Sequence, residues 1–269
     1  MVSAVRTRAN VVVLAMRLSS LASVAAILVL GACGGSTDRP DAEREPATDP
    51  QAREGRSSAR PGRGGGDCRP GEHSLRVGGG RKALMHVTAG SRRGRKALIL
   101  TLHGAGGGAG DGLFAFRGAW DIPGVVMVAP AAKGSTWSIL GGRDVDVPVV
   151  ERAVAQAFAR CRIDPRLVAV GGFSDGASYA LTLGLTNGDL FRAVIALSPG
   201  GAHTDSRVGA PRVFVAHGTG DPVLPIALSD AIVRSLRNDG YQVTYRRFSG
   251  VHEVRPEIAR ASVRWFLNG

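Results

Sequence analysis

Ser174, Asp221 and His252 are residues of the types, and in the order, that a nucleophile, an acid and a base require. Ser174 lies in Val170-Gly-Gly-Phe-Ser-Asp-Gly176, directly after Leu167 to Val170, an apolar run that reads as a short buried strand. Ala177 to Gly184 reads as the start of a helix. Gly172-Phe-Ser-Asp-Gly176 is therefore G-x-S-x-G in a strand-turn-helix setting. Such a turn is so tight that its flanks tolerate little beyond glycine, and it lifts the serine hydroxyl clear of the strand. A serine hydroxyl becomes a useful nucleophile only when a base takes its proton, and that base needs an acid to hold its tautomer.

The partners follow by elimination if the order is serine, acid, histidine. The histidines are His73, His86, His103, His203, His217 and His252. Arg212 to His217 is the next evident strand, and Gly218-Thr-Gly-Asp221-Pro-Val follows it. Only His252 lies beyond Asp221, in Ser249-Gly-Val-His252-Glu, between the strand Val243 to Phe248 and the last helix. Each of the three thus falls at the carboxyl end of a different strand, where open α/β sheets place their ligands. Another strand, Lys96 to Leu102, leads into His103-Gly-Ala-Gly-Gly-Gly108. Acyl transfer builds negative charge on a carbonyl oxygen, and backbone amides aimed at it are worth roughly 3–4 kcal/mol each in the transition state. The candidate oxyanion-hole donors are the amides of Ala105 and Asp175. The glycine loop lacks the Gly-Lys-Ser/Thr ending of a phosphate-binding loop and does not fit G-x-G-x-x-G followed by a ribose-binding acid. His103 reads as ordering this loop and His217 as structural. Trp137, in the loop after the third strand, either walls a substrate-binding pocket or packs in the core. No cluster has metal-ligand spacing, so neither metal nor cofactor is implied.

These stretches also carry a resemblance. Gly171 to Phe191, Leu102-His-Gly-Ala-Gly-Gly, Ser198-Pro-Gly and His217-Gly-Thr-Gly-Asp-Pro-Val-Leu-Pro225 resemble bacterial lidless α/β-hydrolases of the phospholipase/carboxylesterase type. Cys68-Arg-Pro-Gly and Cys161-Arg-Ile-Asp-Pro are similar to the feruloyl esterase and polyhydroxybutyrate depolymerase branch. The resemblance runs from about Cys68 to the C-terminus. It implies hydrolysis of small-molecule esters or thioesters through an acyl-enzyme, with Ser174, His252 and Asp221 as the triad. The chain departs from the acyl-protein thioesterase pattern at Asp175, where those enzymes usually carry glutamine; this adds a charge beside the nucleophile.

Val11 to Leu30 is apolar except for Arg17 and ends in Leu30-Gly-Ala-Cys33. A short apolar stretch after basic residues, ending in small ones, reads as a secretory signal peptide over residues 1–32. A start at Met16 would make Met16-Arg17 the basic region and Leu18 to Leu30 the apolar one. Leu-Gly-Ala-Cys resembles a bacterial lipobox, which makes Cys33 the lipidation site and places the rest outside the cytoplasm, anchored to a membrane of the cell envelope. Residues 33–67 are dominated by Pro, Gly, Ser, Arg and acids, with too little apolar surface to offset ordering entropy, and read as a flexible tether. Of three cysteines, Cys68 and Cys161 remain, and in an oxidising compartment they suggest a disulfide.

Residues 68–269 read as a single α/β-hydrolase domain, a mostly parallel sheet flanked by helices. Its helix Val147 to Ala159 has an apolar face of Val150, Val154, Ala157 and Phe158. The connection from Ser198 to Arg212 is too short for a lid domain. Net charge is +12, almost all from arginine, without any helix-turn-helix, zinc-finger or stacking-aromatic signature, so no nucleic-acid partner is expected. Nothing in the sequence fixes an oligomeric state.

Overall fold

The computed structural model describes residues 55–78, 81–138, 144–204 and 206–269. The leader read at 1–32, the lipidation site Cys33 and the tether up to residue 54 lie outside these residues.

Eight strands form one sheet: β1 (Gly71–Arg76), β2 (Lys82–Val87), β3 (Lys96–Leu102), β4 (Val125–Ala129), β5 (Ile163–Phe173), β6 (Ala193–Leu197), β7 (Arg212–Gly218) and β8 (Val243–Phe248). Their order across the sheet is β1-β2-β4-β3-β5-β6-β7-β8. The pairings β1 with β2 and β2 with β4 are antiparallel; every other pairing is parallel. The helices are α1 (Ala109–Ala115), α2 (Val147–Arg160), α3 (Asp175–Thr186), α4 (Ala227–Asn238) and α5 (Pro256–Leu267). Strands β3, β4 and β6 are buried along almost their whole length, which is why they read as unbroken apolar runs. Alternate residues serve opposite faces. Leu98, Leu100, Val126 and Val128 pack under α2, α3 and α4, whereas Ile99, Val125, Met127 and Phe214 pack under α1 and α5. The apolar stripe expected on α2 lies in the first of these layers. This is the α/β-hydrolase architecture, and the β6–β7 connection carries no helix among its described residues.

Two elements escaped the sequence reading. Edge strand β1 buries only Leu75, so it shows no apolar alternation. Helix α1 contains Gly110 and Gly112, both poor helix formers. A Cβ at Gly112 would lie 2.8 Å from the carbonyl oxygen of Thr101, so close packing on β3 selects glycine there.

The tether expectation fails for residues 55–66, which form a strap across α2 and α3. Fully buried Asn187 accepts the Ser57 N–H at 2.7 Å and donates to the carbonyls of Gly55 (2.8 Å) and Leu183 (2.9 Å). Arg56 forks onto Asp189 at 3.1 Å and donates to the Thr186 carbonyl at 2.7 Å, where the C-terminal end of α3 favours a cation. Further on, Ser58 N–H reaches Glu151 at 2.8 Å, and Gly65 and Gly66 donate to the Ala159 carbonyl at 3.3 Å. Polar partners order this segment, and apolar content does not register them. A disulfide between Cys68 and Cys161, 93 residues apart, fastens the strap's end to the end of α2. The folded part therefore begins by Gly55 rather than at Cys68. Asn187→Ala would strand buried backbone groups and is expected to lower stability by about 2–3 kcal/mol. Urea unfolding reads this directly, and an unmoved midpoint would reduce the strap to a passive covering.

Candidate active site

Ser174 ends β5 with φ 57° and ψ −120°, a left-handed backbone on a residue that carries a Cβ. A Cβ at Gly172 would fall 2.3 Å from the Gly176 carbonyl, and one at Gly176 would fall 2.4 Å from the carbonyls of Leu102 and His103. Both flanks therefore require glycine, and the second brings α3 hard against the end of β3. Ser174 N–H donates to the Leu197 carbonyl at 2.9 Å, which pins the turn to β6.

Asp221 follows β7 and His252 follows β8, and the structure brings both to Ser174. His252 Nε2 lies 2.9 Å from Ser174 Oγ, and His252 Nδ1 lies 2.6 Å from Asp221 Oδ2. Asp221 Oδ1 accepts the N–H groups of Val223 and Leu224, each at 2.9 Å. Burial pushes the Asp221 carboxyl up, but the Leu224 N–H, His252 and the Val223 N–H outweigh it and hold it below the usual range. An ionised Asp221 makes Nδ1 of His252 the donor and leaves Nε2 free to accept from the serine. The loop carrying His252 is tied to the loop carrying Asp221: Thr219 N–H donates to the Phe248 carbonyl and Gly220 N–H to that of Gly250, at 2.8 and 2.9 Å. His217 is fully buried, with Nε2 2.8 Å from the Leu224 carbonyl and 3.2 Å from Asp221 Oδ2, so it braces the acid's loop.

The glycine loop lies beside Ser174: a Cβ on Gly104 would touch Ser174 Cβ at 3.4 Å. Gly106 N–H donates to the Ser135 carbonyl at 2.6 Å and Gly107 N–H to that of Gly104 at 3.1 Å. No hydrogen bond among the described residues uses the N–H of Ala105 or of Asp175. Buried His103 accepts the Ala132 N–H at Nε2 (3.0 Å), so its Nδ1 donates to the Gly104 carbonyl (2.8 Å) and orders the loop. Trp137 packs in the core and also borders a cavity. It is buried, stacked on Tyr179 with centroids 5.1 Å apart, donates from Nε1 to the His103 carbonyl at 2.8 Å, and donates its backbone N–H to Asp175 Oδ2 at 2.9 Å. It also lines, with Val145, Val223 and Leu224, an open cavity of about 670 Å³ that includes Ser174, Ala105 and Asp175.

Beneath Trp137 lies a polar network that the sequence reading missed. Tyr179, fully buried, donates to Asp144 Oδ2 at 2.6 Å. Ser138 Oγ sits 2.7 Å from Asp144 Oδ1 and 2.8 Å from Asp146 Oδ2, and Asp146 also accepts the Lys133 N–H at 2.7 Å and the Ser138 N–H at 2.9 Å. Burial pushes the Asp144 carboxyl up against the opposing bonds from Tyr179 and Ser138. Two aspartates in a polar loop carry no signal of burial, so only their partners reveal them.

Residues 144–268 match the family model described as phospholipase/carboxylesterase. Among solved structures, the chain is similar to esterase PE8, with 22% identity and a TM-score of 0.55 over 68% of this chain and 96% of that one. It is also similar to fluorophosphonate-binding serine hydrolase F of Staphylococcus aureus, with 13% identity and a TM-score of 0.61 over 75% of this chain and 100% of that one. A carboxylesterase of Bacillus cereus matches with 18% identity and a TM-score of 0.52 over 70% and 94% of the two chains. No curated protein matches the chain. At these identities the likenesses establish that the chain has the α/β-hydrolase fold.

Tyr179→Phe removes a donor to a buried carboxylate and is expected to lower stability by about 1.5–3 kcal/mol at neutral pH. The hydroxyl favours ionised Asp144, so its loss raises that carboxyl further. The deficit is full above the raised value and fades as pH falls through it, because a protonated carboxyl no longer lacks a donor. Urea unfolding at a series of pH values from 8 into the acid range checks this; a deficit that nowhere shrinks would contradict it.

Proposed function

We propose that this chain is a serine hydrolase that cleaves small-molecule carboxylic esters through an acyl-enzyme on Ser174. The observation that carries the reading is the unbroken series Ser174 Oγ, His252, Asp221, at 2.9 and 2.6 Å, with the serine raised on a strained turn at the carboxyl edge of the sheet. Ser174 Oγ attacks the ester carbonyl carbon while His252 Nε2 takes its proton, and Asp221 stabilises the resulting imidazolium. The carbonyl oxygen, now negative, is received by the N–H groups of Ala105 and Asp175, both without a competing acceptor among the described residues. Collapse of the tetrahedral adduct expels the alcohol, which leaves with the proton from His252. Water then gives a proton to His252 and attacks the acyl carbon; collapse releases the carboxylic acid and restores the serine. The apolar wall of Trp137, Val145, Val223 and Leu224 suits the hydrocarbon part of the substrate.

Hydrolysis of 4-nitrophenyl esters from acetate to palmitate tests the reading. Ser174→Ala and His252→Ala are each expected to cut kcat by roughly four to six powers of ten, and the double variant by little more, because the pair acts as a unit. Undiminished turnover in Ser174→Ala would refute the assignment. A well-folded wild type inert to every ester would instead favour a binding protein built on the same fold.

A further inference from the structure

The chain as a whole is cationic, with 34 lysines and arginines against 22 acids, yet the described residues that line the cavity beside Ser174 carry the opposite sign. Its described lining residues include the carboxylates Asp146 and Asp175 and no lysine or arginine; His203 stands exposed among them. The two acids differ. Asp146 has both oxygens engaged, by the N–H groups of Lys133 and Ser138 and by the Ser138 hydroxyl. Asp175 is half-buried and engaged through Oδ2 alone, by the Trp137 N–H; no hydrogen bond among the described residues reaches Oδ1. A charge in that position is partly stripped of water and is felt strongly by whatever enters the cavity.

We propose that Asp175 determines substrate charge, so that this site takes uncharged or cationic esters and refuses those bearing a carboxylate or phosphate near the scissile bond. This rests on the ester-hydrolysis reading above. An anionic group entering the cavity gives up hydration and meets Asp175 with no described cation lining the wall to offset the repulsion, whereas an ammonium group gains by the same field. Burial, with Asp146 adding to it, pushes the Asp175 carboxyl up against the Trp137 N–H and His103. Position 175 thus has two opposed effects: its N–H is aimed at the transient charge on the carbonyl oxygen, while its side chain repels permanent negative charge close by.

The test uses the full chain at pH 8. Asp175→Asn keeps an oxygen for the Trp137 N–H and removes the charge. The matched substrates are 4-nitrophenyl hexanoate and the mono-4-nitrophenyl ester of adipic acid, which places a carboxylate at the end of an acyl chain of equal length. The readout is the ratio of kcat/KM for the anionic to the neutral ester, whatever the absolute rates. It is expected to rise about fivefold or more in Asp175→Asn, and a smaller rise overturns the proposal. A second arm needs no turnover: hexylammonium is expected to bind the Ser174→Ala chain about fivefold or more tighter than hexanoate by NMR titration, and that preference should vanish in Ser174→Ala/Asp175→Asn. If wild type cleaves neither of these nor any ester of the acetate-to-palmitate series, the hydrolysis reading falls and the binding arm alone decides the charge selection. If esters are cleaved but Asp175→Asn moves neither quantity, the charge selection falls and hydrolysis stands.

Discussion

A serine at φ 57° is held in a backbone conformation that costs on the order of 1–3 kcal/mol, and it persists only where the surroundings over-determine it. Here they do so from three sides. The end of β3 presses on Gly176, β6 takes the Ser174 N–H through the Leu197 carbonyl, and the Gly176 carbonyl fills the space that a Cβ at Gly172 would need. The first two of these contacts need a parallel neighbour in register, which the pairings of β5 with β3 and β6 supply. Sheet order and glycine placement are therefore one constraint, and the reactive hydroxyl is its consequence.

The same economy of position governs the oxyanion side. Trp137 joins its own loop to two pieces that are distant in sequence: its indole N–H holds the His103 carbonyl, while its backbone N–H holds Asp175 and its ring lies on Tyr179, both in α3. Tyr179 in turn holds Asp144 beneath the same loop. Buried polar networks of this kind are costly when incomplete and rigid when every member is satisfied. Residues 132–138 and 144–146 thus link the glycine loop to α3, and the described wall of the cavity is built from parts that already do structural work. The strap of residues 55–66, through Asn187 and Glu151, secures the outer side of α2 and α3 in the same polar manner.

How far the sequence could be read follows from the type of force involved. The buried parallel strands announced themselves as apolar runs, so the strand ends and the residues following them could be ranked; Ser174 emerged from its G-x-S-x-G turn, and Asp221 and His252 from chain order. Helix α2 showed its face through spacing. What stayed hidden was held by polar or steric partners far along the chain. Tyr179 and Asp144 are 35 residues apart, Arg56 and Asp189 are 133 apart, and neither pair leaves a periodic mark. Helix α1, with two glycines, is formed by packing against local preference, and β1 contributes a single buried side chain to the core. Composition misjudged the strap because low apolar content excludes a core and says nothing about hydrogen-bond partners.

The central claim is that Ser174, and no other residue, becomes covalently acylated with His252 as its base. The most direct measurement is mass spectrometry of the protein after rapid acid quench from excess 4-nitrophenyl ester, followed by peptide mapping. The expected result is a single acyl adduct on the peptide containing Ser174, absent from Ser174→Ala and strongly slowed in His252→Ala. An adduct on another residue, or turnover that proceeds at full rate in Ser174→Ala, would contradict the account.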